Sequence, residues 1–104
     1  MAQFDVYENA NPKTNQTIPY LLDVQADLLD TLATRVVVPL IKTSVAGKAI
    51  RHLNPEFIFN ETPVVLSTAE LAGISTQSMG EKIGTLKERR DEIIGALDFL
   101  FTGF

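Results

Sequence analysis

The 104-residue sequence contains no cysteine and a single histidine. Without cysteine there is no disulfide framework, no thiolate nucleophile and no cysteine-based zinc site. One histidine leaves no two-histidine metal spacing. No Walker A, GxGxxG or GxSxG pattern occurs in the chain. No apolar run approaches the roughly 20 residues of a membrane span. The opening "MAQFDVYENANP" lacks the basic region and apolar segment of a signal peptide. The expectation is a cytoplasmic protein with no membrane association. Positive charge is also scarce, with nine Lys and Arg against 13 Asp and Glu, for a net charge of −4. Only Lys87, Arg89 and Arg90 cluster, and they sit among Glu88, Asp91 and Glu92. Direct nucleic-acid binding needs a dense positive surface that displaces counterions, so the balance argues against it.

What is present reads as one globular unit. The hydrophobic share of 45% is ordinary for a folded domain, and the length predicts a single domain, 1–104, around one modest core. "QFDVY" (3–7) alternates, with Phe4 and Val6 on one side and Asp5 and Tyr7 on the other, and predicts a short strand. "ENANPKTNQT" lacks periodicity and reads as a mobile loop. "IPYLLDV" predicts a second strand, entered through Pro19. "QADLLDTLATR" is a short helical turn or a tight connection. "RVVVPLI" is a third strand by its β-branched density, and Pro39 points to an edge or a bulge. "EFIFNETPVVLS" predicts a hairpin around Asn60-Glu61-Thr62. "TAELAGISTQSMGEKIG" holds one turn of helix and then a short strand.

The last segment carries the strongest signal. Thr85 with Glu88 three residues on has the form of a capping box. From Leu86, the apolar positions Ile93, Leu97, Leu100 and Phe104 recur at helical spacing, and Ile94 and Phe101 widen the stripe. This predicts a helix of about four turns with one buried face, ended by Gly103. Phe99 falls on the polar side, near Glu88, Glu92 and Asp98. Covering it takes either a loop of the same chain or a second molecule. Strands first and one helix last predict an α+β fold, mainly β, with the helix packed on an antiparallel sheet.

Candidate chemistry is thin. His52 is the one potential general base, with Arg51 beside it as a charge stabiliser; the competing reading is a surface histidine. Asp23, Asp27 and Asp30 would share a face of a helix and offer oxygens to a divalent cation, but their segment starts as a strand and lacks the glycine turn of a calcium loop. The residues favour an interaction protein over an enzyme, with no cofactor.

"QFDVY", then "LDVQADLLD" at 22–30, then "RVVVPL" at 35–40, and a C-terminal helix ending in glycine plus one apolar residue together resemble the CcdB family. Its members are the toxins of plasmid and chromosomal toxin–antitoxin modules. The resemblance runs from about Gln3 to Phe104 and is weakest over 42–84. It implies a five-stranded antiparallel sheet with a small additional sheet and a long C-terminal helix, the CcdB/PemK SH3-like barrel fold, and a homodimer. It implies a non-enzymatic toxin that binds the A subunit of DNA gyrase and traps gyrase on cleaved DNA. A CcdA-like antitoxin would neutralise it, and operator DNA would be bound only through the antitoxin complex. The implied gyrase-binding residues are Gln3, Phe4, Leu28, Leu29, Asp98, Phe101, Thr102, Gly103 and Phe104. The F-plasmid member ends Trp-Gly-Ile where this chain ends Thr102-Gly103-Phe104, and Asp98 stands in place of an Asn. Two alternatives accompany this reading: a non-toxic chromosomal homologue that only binds antitoxin, and an mRNA endoribonuclease of the MazF/Kid branch using His52 and Arg51.

Overall fold

The computed structural model describes residues 1–103. Seven strands precede one helix: β1 (Asp5–Asn9), β2 (Tyr20–Asp23), β3 (Thr34–Lys42), β4 (Glu56–Phe59), β5 (Thr62–Leu66), β6 (Ala72–Ser75), β7 (Met79–Thr85) and α1 (Arg90–Thr102). All ladders are antiparallel. The spatial order is β4-β5-β3-β2-β1-β7, with β6 also on β3. The strands thus form one hydrogen-bonded network, where the family resemblance implies a five-stranded sheet and a separate small one.

Val6, Leu22 and Val38 lie abreast across β1, β2 and β3 and are fully buried. With Leu40, Phe57, Val64 and Leu66 they meet Ile93 and Ala96 of α1 in the core. The alternation in "QFDVY" is real, but both of its sides are buried: Asp5 and Tyr7 are as enclosed as Val6. The strand begins later than the pattern predicts. Phe4 has φ +71°, a conformation that costs a bulky residue energy. It is held there because its N–H donates to the Asp23 carbonyl (2.6 Å) and its carbonyl accepts from the Leu86 N–H (2.8 Å).

Two expectations about proline and turns are resolved by the ladders. β3 is the central strand, not an edge: β2 runs along one side, and β5 and β6 share the other. The Pro39 carbonyl accepts from the Ser67 N–H at 3.0 Å. Within a strand the nitrogen points to the same side as its carbonyl. The missing donor therefore faces the corner where β5 ends and β6 has not begun. The predicted hairpin is β4–β5. Asn60 and Glu61 both have positive φ, 47° and 66°, as a two-residue turn matched to strand twist requires. The segment 8–17, which the sequence presents as a mobile loop, is folded on itself: the Asn9 side-chain amide donates to Thr14 Oγ1 and to the Ile18 carbonyl, both at 2.9 Å.

The helix differs from its prediction at both ends. Its entry is a 3-10 turn, Lys87–Arg89. Thr85 Oγ1 accepts from the Lys87 N–H at 3.2 Å and its hydroxyl donates to the Phe4 carbonyl at 3.3 Å. Thr85 therefore ties the turn to the sheet instead of forming a capping box with Glu88. Ile93 and Ala96 are the buried centre of the face, flanked by half-buried Ile94, Leu97 and Leu100. Phe101, expected to widen the buried stripe, is 71% exposed. It falls about 80° round the axis from Ile93, at the edge of the buried face. Gly103 closes the helix at φ +79°, its N–H bonded to the Phe99 carbonyl at 2.9 Å, a conformation open to glycine at no steric cost.

Candidate functional site

β2 ends in a buried ion pair. Asp23 and Arg35 are both fully enclosed. Arg35 donates from Nε to Asp23 Oδ2 at 2.8 Å, and Nη2 lies 2.7 Å from the same oxygen. Asp5 lies on the same polar side of the sheet, and the Lys82 ammonium reaches it at 3.3 Å from the surface. Burial holds the Asp23 carboxyl above the ordinary carboxylate range; the Arg35 guanidinium opposes that shift and the Asp5 charge adds to it. Burial also raises the Tyr7 phenol, with Asp5 and Asp23 contributing.

This pair separates the three aspartates considered as cation ligands. Asp23 is inside, bound to Arg35, while Asp27 Oδ1 accepts the Gln3 N–H at 2.7 Å. The chain between them leaves the strand as a single 3-10 turn, Asp27–Leu29. This turn buries none of its own side chains. Leu28 is 94% exposed, and Leu29 and Leu32 are about half exposed.

The expected interface residues fall into two groups. Gln3 and Phe4 border a depression of about 230 Å³ with Asp27, Lys87 and Arg90 at the start of α1. Phe4 forms its buried floor, and the Arg90 guanidinium lies 5.9 Å from the centre of its ring. Leu28 and Leu29 stand on the adjoining turn. Asp98, Phe101, Thr102 and Gly103 occupy the other end of α1, all exposed. At 100° per residue, Arg90, Ile94 and Phe101 fall within about 40° of one another around the axis, with Phe101 about 16 Å further along it. Arg90 and Phe101 are therefore the ends of one strip along one side of α1, not a single pocket, while Thr102 turns about 100° away from Phe101 around the axis. Thr102 is turned back onto its helix, donating to the Asp98 carbonyl at 2.6 Å. Phe104 lies outside the described residues.

Phe99 is half-buried, with a loop of its own chain beside it. Its ring meets His52 edge-on at 6.4 Å between centroids. Together with Pro55, Asp91, Glu92 and Gly95 they line a second depression, of about 500 Å³. Arg51 lies outside this lining, in the neighbouring hollow over residues 49–56. His52 thus faces two carboxylates and a phenyl ring in this depression, and it shares the neighbouring hollow with Arg51.

The family model described as CcdB protein matches residues 3–103. The chain belongs to the CcdB family. Among solved structures, this CcdB-family chain is similar to an endoribonuclease in complex with its cognate antitoxin from a mycobacterial species. The TM-score is 0.76 at 12% identity, over 97% of this chain and 94% of that one. At that identity the likeness is one of fold: a mainly β, antiparallel architecture closed by a C-terminal helix. No helix among the described residues is long and apolar enough to cross a membrane.

Sequence reasoning missed several residues of this CcdB-family surface. The sequence offers Lys87 and Arg90 only as part of a mixed charge run, and the expected helix stripe also omits Ala96, which is core rather than surface. The Asp23–Arg35 pair had a signal. An arginine opening a run of β-branched residues has to find an acid when its strand is buried, and "LDV" on the preceding strand supplies it.

Proposed function

We propose that this protein is the toxin of a type II toxin–antitoxin pair, and that it binds the A subunit of DNA gyrase and traps the cleaved gyrase–DNA complex without chemistry of its own. The observation that carries the reading is the outward placement of Leu28 and Phe101, 94% and 71% exposed, at family positions for gyrase contact. Exposed large apolar groups at one side of a small protein are the usual mark of a protein interface. The strip also has its charge at the margins, in Asp27, Lys87 and Arg90, as interface rims do. A CcdA-like antitoxin is the neutralising partner, its site overlapping the strip. Membership of the CcdB family supports it, as does a fold neighbour in complex with its cognate antitoxin.

The test is to mix the purified protein with gyrase, supercoiled plasmid and ATP, and to look for linear DNA after detergent and protease. Linear DNA is expected, and Gly103→Arg should remove it. That substitution sets a long side chain at a left-handed, exposed position where, among the described residues other than its chain neighbours, nothing lies within 4 Å of an added Cβ. Apart from the strain of a side chain at this helix end, its effect falls on a partner rather than on the core. Absence of linear DNA with gyrases of several hosts would favour the non-toxic, antitoxin-binding homologue.

One observation favours a second reading, an mRNA endoribonuclease: His52 sits in a depression with Asp91 and Glu92, and the fold neighbour is named an endoribonuclease. The acidic lining repels an RNA backbone. Primer extension on cellular RNA separates the two, since only a ribonuclease leaves defined breaks.

A further inference from the structure

The 3-10 turn that presents Leu28 and Leu29 has no apolar anchor. None of its residues is buried, and its own backbone bonds, Leu29 N–H to Ala26 carbonyl and Asp30 N–H to Asp27 carbonyl, are short-range. A turn of this length does not persist on such bonds alone. Something outside it has to fix its position.

The side chain beneath it is Gln25, 6% exposed. Its amide nitrogen donates to the Leu29 carbonyl at 2.8 Å. Its amide oxygen accepts from the Val36 N–H of β3 at 3.0 Å. One buried amide therefore spans from the central strand to the last residue of the turn. Gln25 is itself fixed by the ion pair. Its N–H donates to Asp23 Oδ1 at 3.0 Å, and its carbonyl lies 3.5 Å from Arg35 Nη2. The buried charges thus lock the backbone of the residue whose side chain holds the turn. On the outer side, Asp27 Oδ1 receives the Gln3 N–H.

We infer that Gln25 is the positioning residue of the recognition turn: its buried amide, seated on the Asp23–Arg35 pair, sets where Leu28 and Leu29 stand for a protein partner. This rests on the proposed gyrase reading for the identity of that partner. The positioning itself rests only on the hydrogen bonds. Glutamine is the side chain the place demands, because it needs an acceptor toward Val36 and a donor toward Leu29 on one planar group.

The test compares Gln25→Met, Gln25→Glu and Leu28→Ser in the full-length protein. Gln25→Met removes both bonds at similar volume. Gln25→Glu keeps an oxygen for Val36 and replaces the donor to Leu29, and serves if the methionine variant folds poorly. Amide hydrogen exchange is read at Leu29, Asp30 and Leu32, against β5 and α1 as references. The linear-DNA assay with gyrase is run alongside. In the Gln25 variants the turn amides should exchange about tenfold faster, the equivalent of one net hydrogen bond, with the references unchanged. The protein concentration needed for linear DNA should rise at least as much. Leu28→Ser should raise that concentration without altering exchange. Unchanged exchange at the turn overturns the inference, as does faster exchange with an undiminished DNA yield. If the native protein gives no linear DNA, or Leu28→Ser matches it, the gyrase reading falls instead. The exchange comparison then still decides whether Gln25 holds the turn.

Discussion

Arg35 and Asp23 carry the largest electrostatic stake in the molecule. Both ions are removed from water, and Arg35 Nη1 has no hydrogen-bond partner among the described residues. Such a pair adds little net stability against a hydrophobic substitute, yet breaking it strands a charge. Arg35→Met is expected to cost about 3–5 kcal/mol at pH 7. The cost should also depend on pH. Burial already raises the Asp23 carboxyl, and the variant removes the guanidinium that opposes this. A raised value in the fold means that the folded form binds the proton more tightly than the unfolded one. The variant's stability is then greatest below the ordinary carboxylate range and falls as pH climbs through the raised value. Urea melts at pH 4.5 and pH 7 check this: the gap between the native protein and Arg35→Met should be wider at pH 7. Of the residues at this scale, Gln3, Phe4, Leu28 and Phe101 were nameable from the sequence only through family resemblance. Exposure is a property of the assembled surface, and no local pattern separates an apolar side chain left outside from one placed within. Gln25 was invisible for a related reason. Its worth comes from Val36, eleven positions away in sequence.

At the level of elements, the legible parts were those whose pattern is repeated. The β4–β5 hairpin and the core of α1 follow from two apolar runs around a turn and from the 3.6-residue period. β7 was reduced to a short strand because "MGEKIGT" carries two glycines and little β-branched content, the composition of a weak strand. The structure explains the second of them. A Cβ at Gly84 would stand 2.6 Å from the Phe59 ring, which also meets Tyr20 edge-on at 5.2 Å. Gly84→Ala should therefore destabilise by about 1–3 kcal/mol through overpacking, readable as a lower melting temperature. Gly95 is the opposite case. It lies inside α1, and an added Cβ meets nothing within 4 Å. Gly95→Ala should add about 1 kcal/mol from helix propensity and raise the melting temperature. A fall would mean that the helix face above the His52 depression is occupied in solution.

For the molecule as a whole, several large apolar side chains stay outside: Leu28, Leu29 and Leu32 on one turn, Phe101 on the helix, and Ile58 on the hairpin. Phe99 does not belong to this set, since it is half-buried with His52 at its edge. The remainder is still enough to predict a homodimer at micromolar concentration. Sedimentation should give twice the 11.5 kDa of one chain, and a species of that single mass would contradict it. The fold class was legible because strands precede a single helix; the strand order was not, because it is set by pairings between distant segments. The most distant of these has its own consequence. Phe4 receives bonds from Leu86 and Thr85, the latter 81 positions away, so β1 stays unpaired on that side until β7 has been made. Contacts of such sequence separation form late. The Phe4 floor therefore takes its place only once β7 has docked on β1. A partner that reads the Phe4 floor would thus meet only the finished sheet, never a chain that has made just its first strands.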